Sequence, residues 1–238
     1  MTKGTQRYAL LWLFALLCVV VMAVLTRKSF YGATTFKELS KNENMDEYKI
    51  QIFEDDGDQR IFSDINDFEE LKMNSNFIAK IRVTEDRILF SHSVYTKALV
   101  ETVYKSKQND KENEMIYIYE PVDFDEDFEI FNSTNGYQLM KSGEVYYVFL
   151  NELQTVEGYR KSSDEMRTYT PSSTAFSVYP IQKGKTKALD FDRLYRESIG
   201  YTYKEIKEMD ILTSDESKIE QYYKLRDKVI CEFEGSET

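Results

Sequence analysis

The chain has 238 residues and a formal net charge of −11. Residues 1 to 26 hold two of its 31 basic side chains and none of its 42 acidic ones. The rest of the chain therefore carries 29 basic against 42 acidic side chains, a net charge of −13. A surface this acidic repels phosphate backbones, and we expect no nucleic-acid partner. Only two cysteines occur, one of them inside the apolar segment described next, which excludes a disulfide-stapled secreted module.

Residues 8 to 25, YALLWLFALLCVVVMAVL, contain no charged side chain, and 17 of them in a row are apolar. At about 1.5 Å per residue, a helix of this length just crosses a hydrocarbon core of roughly 30 Å. Tyr8 and Trp12 suit the headgroup boundary at one end. We therefore predict an uncleaved transmembrane helix within an N-terminal anchor region, residues 1–28.

Three other interpretations of the apolar segment have to be weighed against an anchor. A cleaved signal peptide has a shorter apolar run that ends in a small-x-small site, and VMAVLTRKS offers no good site of that kind. A lipoprotein signal has a small residue directly before its cysteine, whereas Leu17 precedes Cys18. A buried core helix stays open, although one this apolar is uncommon at the extreme N-terminus.

The charges around the apolar segment do not decide its orientation, because basic side chains stand on both sides of it. They are Lys3 and Arg7 before the segment, and Arg27, Lys28, Lys37 and Lys41 after it. We predict a cytoplasmic N-terminus and a cell-membrane protein whose bulk lies outside the cell, because a short tail before a large domain is the usual layout of a signal anchor. A domain that stays on the cytoplasmic face is the alternative.

Strand patterns dominate the middle of the chain. Residues 29–47 are polar and predict a tether, and beyond them apolar and polar residues alternate in short runs. The run SVYTKALVETVYK (93–105) has apolar side chains on both faces, as expected of a strand that curves around a barrel. The other predicted strands are YKIQIF (48–53), FIAKIRV (77–83), DRILF after a short polar turn, MIYIYEPV (115–122), EVYYVFL (144–150) and AFSVYPI (175–181). These patterns predict a β-barrel domain over residues 48–185.

Two segments have helical signals. SDINDFEELKMN, with Ser63 or Asp64 as its cap, predicts a short helix before the barrel strands. In the last region, residues 186–238, SDESKIEQYYKLRDKVICEF predicts an amphipathic helix capped by Ser214. The predicted fold class is mainly β with flanking helices (α+β), a barrel of five to six strands between an N-terminal transmembrane helix and a C-terminal amphipathic helix.

Glycines punctuate NGYQLMKSGEVYYVFL (135–150), which suggests either a ligand-cradling loop or a bend that leads into a buried strand. No group suited to acid–base or nucleophilic work accompanies Gly136, Tyr137 and Gly143. We interpret the segment as a fold element in which Gly143 takes a positive φ at the corner. Eighteen tyrosines offer material for a carbohydrate groove, but most fall at alternating strand positions, where packing explains them more simply.

The chain offers few residues for catalysis. His92 is the only histidine, so neither a catalytic triad with a choice of bases nor a multi-histidine metal site can be assembled. Cys231 falls within the predicted amphipathic helix, and we interpret it as a small buried apolar residue rather than a nucleophile. No phosphate-binding loop, HExxH or GxSxG motif occurs. We therefore predict no catalytic residue and no cofactor.

The acidic run DFDEDFE places Asp123, Asp125 and Asp127 at alternate positions, as at the opening of a calcium-binding loop. Phe128 stands at the sixth place, where such a loop requires glycine, and Thr134 stands at the twelfth, where it has glutamate. The three aspartates are therefore weak metal candidates, and a solvated acidic loop is the simpler interpretation.

Several segments in this order resemble uncharacterised membrane-anchored or secreted proteins of Gram-positive bacteria. They are DFEEL, NFIAKIRV, YTKALVETVYK, EMIYIYEPV, NGYQLMKSGEVYYVFL and FSVYPI. More distantly, the order is similar to the netrin-like module of tissue inhibitors of metalloproteinases, which implies an OB-type barrel over about residues 63 to 182. Those inhibitors use an N-terminal cysteine on the protease zinc and several disulfides, which this chain lacks. The resemblance therefore carries no inhibitory function and no site residue.

These observations favour a non-enzymatic binding or accessory module, held at the membrane by its N-terminal helix and acting on a protein partner. Two alternatives stay open. One is a calcium-dependent binding protein or enzyme that uses the three aspartates. The other is a scaffold on the cytoplasmic face of the membrane.

Overall fold

The structure is a computed structural model that describes residues 12–13, 15–23, 36–39, 44–53, 65–90, 92–108, 110–195 and 200–235. The chain divides into two compact units, residues 1–34 and 35–238, and each is described by itself. In the first unit, residues 12–13 and 15–23 are helical and exposed, and the other positions of the predicted anchor lie outside the described residues. Of the helices that the structure describes, none has both the length and the apolar character needed to cross a bilayer.

The second unit contains nine strands and five α-helices among the described residues. The strands are β1 (Lys49–Phe53), β2 (Phe77–Leu89), β3 (Val94–Ser106), β4 (Met115–Glu120), β5 (Val122–Asp125), β6 (Ile130–Thr134), β7 (Val145–Glu152), β8 (Thr168–Pro171) and β9 (Val178–Pro180). The helices are α1 (Phe36–Leu39), α2 (Phe68–Asn74), α3 (Phe191–Tyr195), α4 (Tyr203–Ile206) and α5 (Glu216–Glu234), with 3-10 turns at Met45–Glu47 and Glu165–Arg167. The prediction of a mainly β chain with flanking helices is confirmed.

Five strands close into a barrel in the order β2-β3-β4-β8-β7, and β7 pairs with β2 to complete the circle. All of these pairs are antiparallel except β4 and β8, which run parallel, and β9 continues along the same edge of β7 as β8. The closed five-stranded arrangement is consistent with an OB-like barrel. Its interior is filled by alternate residues of the strands, including a stacked pair, Phe77 and Tyr169, with ring centroids 4.6 Å apart.

The two longest strands differ from the sequence-based prediction at one point. FIAKIRV and DRILF, predicted as two strands joined by a turn, form the single 13-residue strand β2. Its pairing with β3 shifts register at Ile78/Ala79, at Lys80/Ile81 and between Val83 and Arg87. Such irregularities bend a strand and increase its twist, so the polar stretch that suggested a turn lies at a bulge instead.

A smaller sheet, ordered β1-β6-β5, lies beside the barrel in the same unit. β1 runs parallel to β6, and β6 runs antiparallel to β5. The acidic run DFDEDFE, interpreted above as a solvated loop, therefore contributes to a hairpin of β5 and β6. The ring of Phe124 packs against Phe36, and its centroid lies 4.9 Å from that of Phe131 and 5.2 Å from that of Tyr203. The aromatic positions within the acidic run thus explain why it folds as a sheet.

Strand β7 is covered on both faces, as the nearly continuous apolar run predicts. Tyr146 and Val148 face the barrel interior, while Tyr147 and Phe149 face helices α2 and α5. The predicted boundary between residues 185 and 186 therefore falls inside one compact unit, because α5 shares a core with a barrel strand. The amphipathic character predicted for α5 is confirmed by the single buried stripe that contacts this core.

The helix caps differ from those predicted from the sequence. Asp67, rather than Ser63 or Asp64, caps α2 by accepting a 2.9 Å hydrogen bond from the backbone N–H of Glu70. Asp215, rather than Ser214, caps α5 and accepts a 2.8 Å bond from the N–H of Ser217. Each segment contains several neighbouring cap-forming residues, so the pattern locates the helix start only to within a few positions.

Two glycines of the segment 135–150 have positive φ for different structural reasons. Gly143 has φ +81° in an open corner before β7, and an added Cβ would meet no atom within 4 Å. Gly136 has φ +80°, and a Cβ there would lie 2.0 Å from the backbone oxygen of Leu212. The expectation that Gly143 supplies a positive φ at the corner is confirmed, and Gly136 in addition permits close backbone contact.

We expect Gly143→Ala to lower the free energy of unfolding by about 1–2 kcal/mol, the cost of holding an L-residue in the left-handed region. Gly136→Ala should cost more, because the backbone at Leu212 also has to move. Urea unfolding of the two variants beside the wild type measures the difference. Equal losses would contradict the close approach at Gly136.

Candidate functional site

Three tyrosines share the outer face of the barrel where β3 and β4 pair. Along β4 and the first half of β3 the residues alternate between buried and half-buried, with Thr96 and Ile118 turned inward. Tyr95, Tyr117 and Tyr119 belong to the half-buried set and therefore lie on the outer face. In the register of the two strands, Tyr95 lies directly opposite Tyr119.

The ring of Tyr95 stacks against the rings of both other tyrosines. The ring centroid of Tyr95 lies 5.1 Å from that of Tyr117, with planes at 2°, and 4.6 Å from that of Tyr119, with planes at 40°. Phe90, which is 56% exposed, extends the row, with its centroid 5.9 Å from Tyr119. The hydroxyl of Tyr95 lies 2.9 Å from the hydroxyl of Thr168 on β8, so its side chain reaches across β4. We call Phe90, Tyr95, Tyr117 and Tyr119 the aromatic row.

The phenols of Tyr95 and Tyr119 stay neutral near neutral pH. Partial burial raises the pKa of Tyr95 to about 12, although its hydrogen bond with Thr168 acts in the opposite direction. Burial also raises the pKa of Tyr119, and the charge of Glu165 adds to the effect. Both hydroxyls therefore act as hydrogen-bonding groups without charge.

Two adjoining depressions share Glu85 and Arg87 in their walls, and the first of them borders the aromatic row. The first, of about 400 Å³, is lined by Tyr95 and Tyr117 together with side chains of β2. The second, of about 770 Å³, continues past Leu99 toward the corner at Gly143. Small-molecule sites in proteins have volumes in this range. Together with the aromatic row, these depressions form what we call the aromatic groove.

Two ion pairs involve charged side chains that line the aromatic groove. Lys97 Nζ lies 3.5 Å from Asp86 Oδ2, and Arg82 Nη2 lies 2.7 Å from Glu101 Oε1. These pairs are partly exposed, so each contributes little to stability. They do place a cationic hydrogen-bond donor next to an anionic acceptor at two points along the groove.

A buried polar cluster supports the floor of the aromatic groove. Glu120, which follows the aromatic row on β4, is fully buried, and its Oε1 lies 4.0 Å from Nη2 of Arg87 on β2. Glu120 also accepts hydrogen bonds from the hydroxyl of Thr96, from the hydroxyl of Tyr137 at 3.1 Å and from the N–H of Met140 at 2.9 Å. Arg87 donates to the carbonyl of Met140. The cluster thus joins β2, β3 and β4 to the segment before β7.

Burial raises the pKa of Glu120 above its ordinary value. The Arg87 guanidinium and the three hydrogen bonds act in the opposite direction and offset only part of this rise. Glu120 is 0% exposed and lines neither depression, whereas Arg87, which is 4% exposed, lies in the walls of both. The cluster therefore has a structural role and positions the strands that carry the aromatic row.

The three aspartates predicted as weak metal candidates do not converge on one point. Asp123 and Asp125 lie on β5, and Asp125 Oδ1 accepts hydrogen bonds from the N–H of Asp127 at 3.0 Å and of Phe128 at 3.1 Å. Asp123 Oδ2 lies 3.8 Å from Nδ1 of His92, which is almost fully exposed. Across the ranges that the structure describes, no three His, Cys, Asp or Glu side chains are grouped as ligands for a metal ion.

The interpretation of Cys231 as a buried residue is wrong. It lies on α5, as predicted, but its side chain is exposed, because the buried stripe of that helix runs through Val229 and Phe233 instead. A shift of one or two positions around a helix moves a residue from the buried to the exposed face.

The sequence analysis missed the aromatic groove because it treated the tyrosines as packing residues. That interpretation holds for Tyr147, Tyr169 and Tyr179, which are fully buried. The missed signal is the repeat of tyrosine at outward positions of two successive strands, as in SVYTK and IYIY. These tyrosines meet on one face only because the register of β3 and β4 places Tyr95 opposite Tyr119.

The chain was also compared with known proteins. No protein-family model matches it, and no curated protein has significant sequence similarity to it. The resemblance to netrin-like modules and to proteins of Gram-positive bacteria therefore stays a prediction, and the candidate site rests on its geometry.

Proposed function

We propose that the chain is a membrane-anchored, non-enzymatic binding module that holds its barrel outside the cell and binds its ligand in the aromatic groove. The observation that carries the binding role is the row of half-buried tyrosines beside two depressions on one face of the barrel. On OB-type barrels, the equivalent outer face of successive strands is a common site of ligand binding.

The apolar segment near the N-terminus supports the membrane part of the proposal. Trp12, Leu13 and Leu16 are exposed by 76%, 72% and 68%, and residues 12–13 and 15–23 are helical. Contiguous apolar side chains that remain exposed mark membrane or protein contacts rather than ordinary surface. A lipid bilayer covers all sides of such a helix, and the uncharged run from residue 8 to 25 has the length to cross it.

Cysteine labelling tests the location of the barrel. In a Cys18→Ser variant the single remaining cysteine, Cys231, is exposed on α5. We expect a membrane-impermeant maleimide to label this variant in intact cells, with the chain retained in the membrane pellet after carbonate washing. The matched control is Cys231→Ser, which should stay unlabelled because Cys18 lies within the proposed anchor. Labelling of Cys231 only after the cells are permeabilised would place the barrel in the cytoplasm, and a chain released by carbonate would exclude the anchor.

A further inference from the structure

We propose that an acidic depression beside strand β1 binds a basic, extended segment of a partner protein, which adds as a further strand to the edge of the small sheet. The described residues that line this depression all differ from those that line the aromatic groove, so the second site does not depend on the ligand of the first. Unpaired backbone groups, exposed aromatic walls and an acidic rim each support one part of the proposal.

The outer edge of β1 has backbone groups without hydrogen-bonding partners. On the inner edge, the N–H of Lys49 and the carbonyl of Phe53 bond to the residues that flank β6, at 2.9 and 2.7 Å. Alternate residues of a strand direct their backbone groups to opposite edges, so Ile50 and Ile52 face the outer edge. The N–H of Ile50 donates to the carbonyl of Tyr201 at 3.0 Å, whereas its carbonyl and both backbone groups of Ile52 bond to no described residue. These three groups are available to an added strand.

A depression of about 610 Å³ has Ile50 in its wall and therefore borders the same edge. A smaller depression, of about 40 Å³, lies beside Ile52 and shares Leu194 and Tyr195 with the larger one. The larger volume is within the range of ligand sites in proteins, so it accommodates a short stretch of an extended peptide. We call it the edge depression, and its lining includes Ile50, Gln51, Phe128, Ile130, Leu194 and Tyr195.

The walls of the edge depression carry exposed aromatic side chains. Phe128, in the turn between β5 and β6, is 74% exposed, and Tyr195 on α3 is 53% exposed. Phe191 lies beside Tyr195, with ring centroids 4.6 Å apart, and is 62% exposed. Grouped apolar side chains that remain exposed mark contact surfaces. Beside an open strand edge, they suit the alternate side chains of an added strand.

The charges around the edge depression favour a basic segment. Glu47 and Glu129 line the depression and are exposed, and Glu126 and Asp127 lie in the same turn as Glu129. Lys49 is the one basic side chain among the described lining residues. Lysine and arginine side chains gain from such an acidic rim, and they also pack favourably on aromatic rings.

A second copy of the chain is the competing occupant, because an open strand edge also pairs with an identical edge. Two copies joined in this way would bring the same acidic rim together from both sides, in a chain of net charge −11. Like charges placed opposite one another across an interface oppose association. The charges therefore favour a basic partner over self-association.

The full chain in phosphatidylcholine nanodiscs is tested with short synthetic peptides, and fluorescence anisotropy measures their binding. The probe is a labelled peptide of alternating lysine and valine, which we expect to bind. A glutamate–valine peptide of the same length should not bind. A lysine–valine peptide methylated on every backbone amide should bind about tenfold or more weakly, because it lacks the donors that an added strand needs.

An aromatic variant and a matched control locate the binding site. Phe128→Ala should weaken binding of the lysine–valine peptide about fivefold or more, as expected for an anchoring side chain. Val156→Ala removes an apolar side chain that is 79% exposed between β7 and β8, and it should leave binding unchanged. Thermal unfolding midpoints check that both variants are folded.

A pair of charge variants separates local from overall electrostatic attraction. Glu129→Gln removes a negative charge from the rim of the edge depression, and Glu157→Gln removes one from an exposed position between β7 and β8. Both lower the net negative charge equally, but Glu129→Gln should weaken binding about threefold more, because its charge lies at the site.

Three results would overturn the proposal. The first is that the lysine–valine peptide does not bind, or that the glutamate–valine peptide binds as tightly. The second is that the methylated peptide binds as well as the unmodified one, which would exclude strand addition. The third is that Phe128→Ala and Glu129→Gln behave like their controls, since the binding would then be a general attraction to an acidic protein.

Discussion

Replacing Arg87 by methionine should lower the free energy of unfolding by about 3–5 kcal/mol, because it removes one member of a buried ion pair and leaves the other without its counter-charge. Arg87 is 4% exposed, lies 4.0 Å from Glu120, donates to the carbonyl of Met140 and has its guanidinium carbon 5.2 Å from the ring centroid of Phe36. Methionine fills part of the volume but supplies none of these polar contacts. Urea unfolding monitored by circular dichroism gives the loss.

The matched control for Arg87→Met is Arg82→Met on the same strand. Arg82 makes a 2.7 Å ion pair with Glu101, but its side chain is 50% exposed, so water and salt screen the interaction. Such pairs contribute about 0–1 kcal/mol. Similar losses in the two variants would show that the buried cluster does not depend on Arg87.

The free energy of unfolding of Glu120→Gln, measured over a series of pH values, tests the contribution of the acidic partner in the same ion pair. Burial raises the pKa of Glu120 in the folded chain above the ordinary value of 4.5. Between pH 4.5, the pKa of the unfolded state, and the raised pKa of the folded state, the folded chain holds a proton that the unfolded chain has lost. The free energy of unfolding therefore falls as the pH rises through this window. Below pH 4.5 the contribution is fully present. We expect the difference in unfolding free energy between wild type and Glu120→Gln to decline as the pH increases above 4.5.

In the Arg87→Met background the same decline should extend to higher pH. The guanidinium is the strongest influence that lowers the pKa of Glu120, so its removal raises that pKa further. A pH profile that is identical in the presence and absence of Arg87 would contradict the electrostatic coupling of the two residues.

The sequence predicts most reliably which residues of a strand or helix face the core, because these recur with a regular local spacing. In MIYIYE, the alternation that places Ile116 and Ile118 in the core also places Glu120 there, so a buried acid is foreseeable from this short run. The presence of β2, β3, β4, β7 and α5 follows from the same reasoning, whereas the fifth barrel strand, β8, matches none of the predicted strands. The partner of Glu120 does not, because Arg87 lies 33 positions earlier, in a stretch that looks like a turn when it is considered alone.

Contacts that depend on the pairing of distant segments cannot be predicted from the spacing of apolar residues within one segment. The parallel pairing of β4 with β8 brings Tyr117 next to Thr168, and no short-range pattern specifies that contact. The aromatic groove likewise depends on the register between β3 and β4, since a slip of one residue would turn the tyrosines into the core. Individual tyrosines are visible in the sequence, whereas their assembly into a surface is a property of the fold.

Replacing Phe233 by alanine should lower the free energy of unfolding by about 3–5 kcal/mol, the usual cost of removing a buried phenylalanine ring. Phe233 lies near the end of α5 and is 7% exposed, and its ring centroid lies 4.1 Å from Tyr104, 5.6 Å from Tyr147 and 6.1 Å from Phe68. It thereby connects the C-terminal helix to β3, β7 and α2.

The control for Phe233→Ala is Phe191→Ala on α3, where the ring is 62% exposed and an effect within about 0.5 kcal/mol is expected. Denaturant unfolding followed separately by tyrosine fluorescence and by helical circular dichroism measures both variants. If α5 is part of the barrel core, both signals of Phe233→Ala shift together to lower denaturant, because the helix and the strands unfold as one unit. A helical signal that is lost first, with the tyrosine transition unchanged, would show that α5 is an independent extension and that the barrel is stable without it.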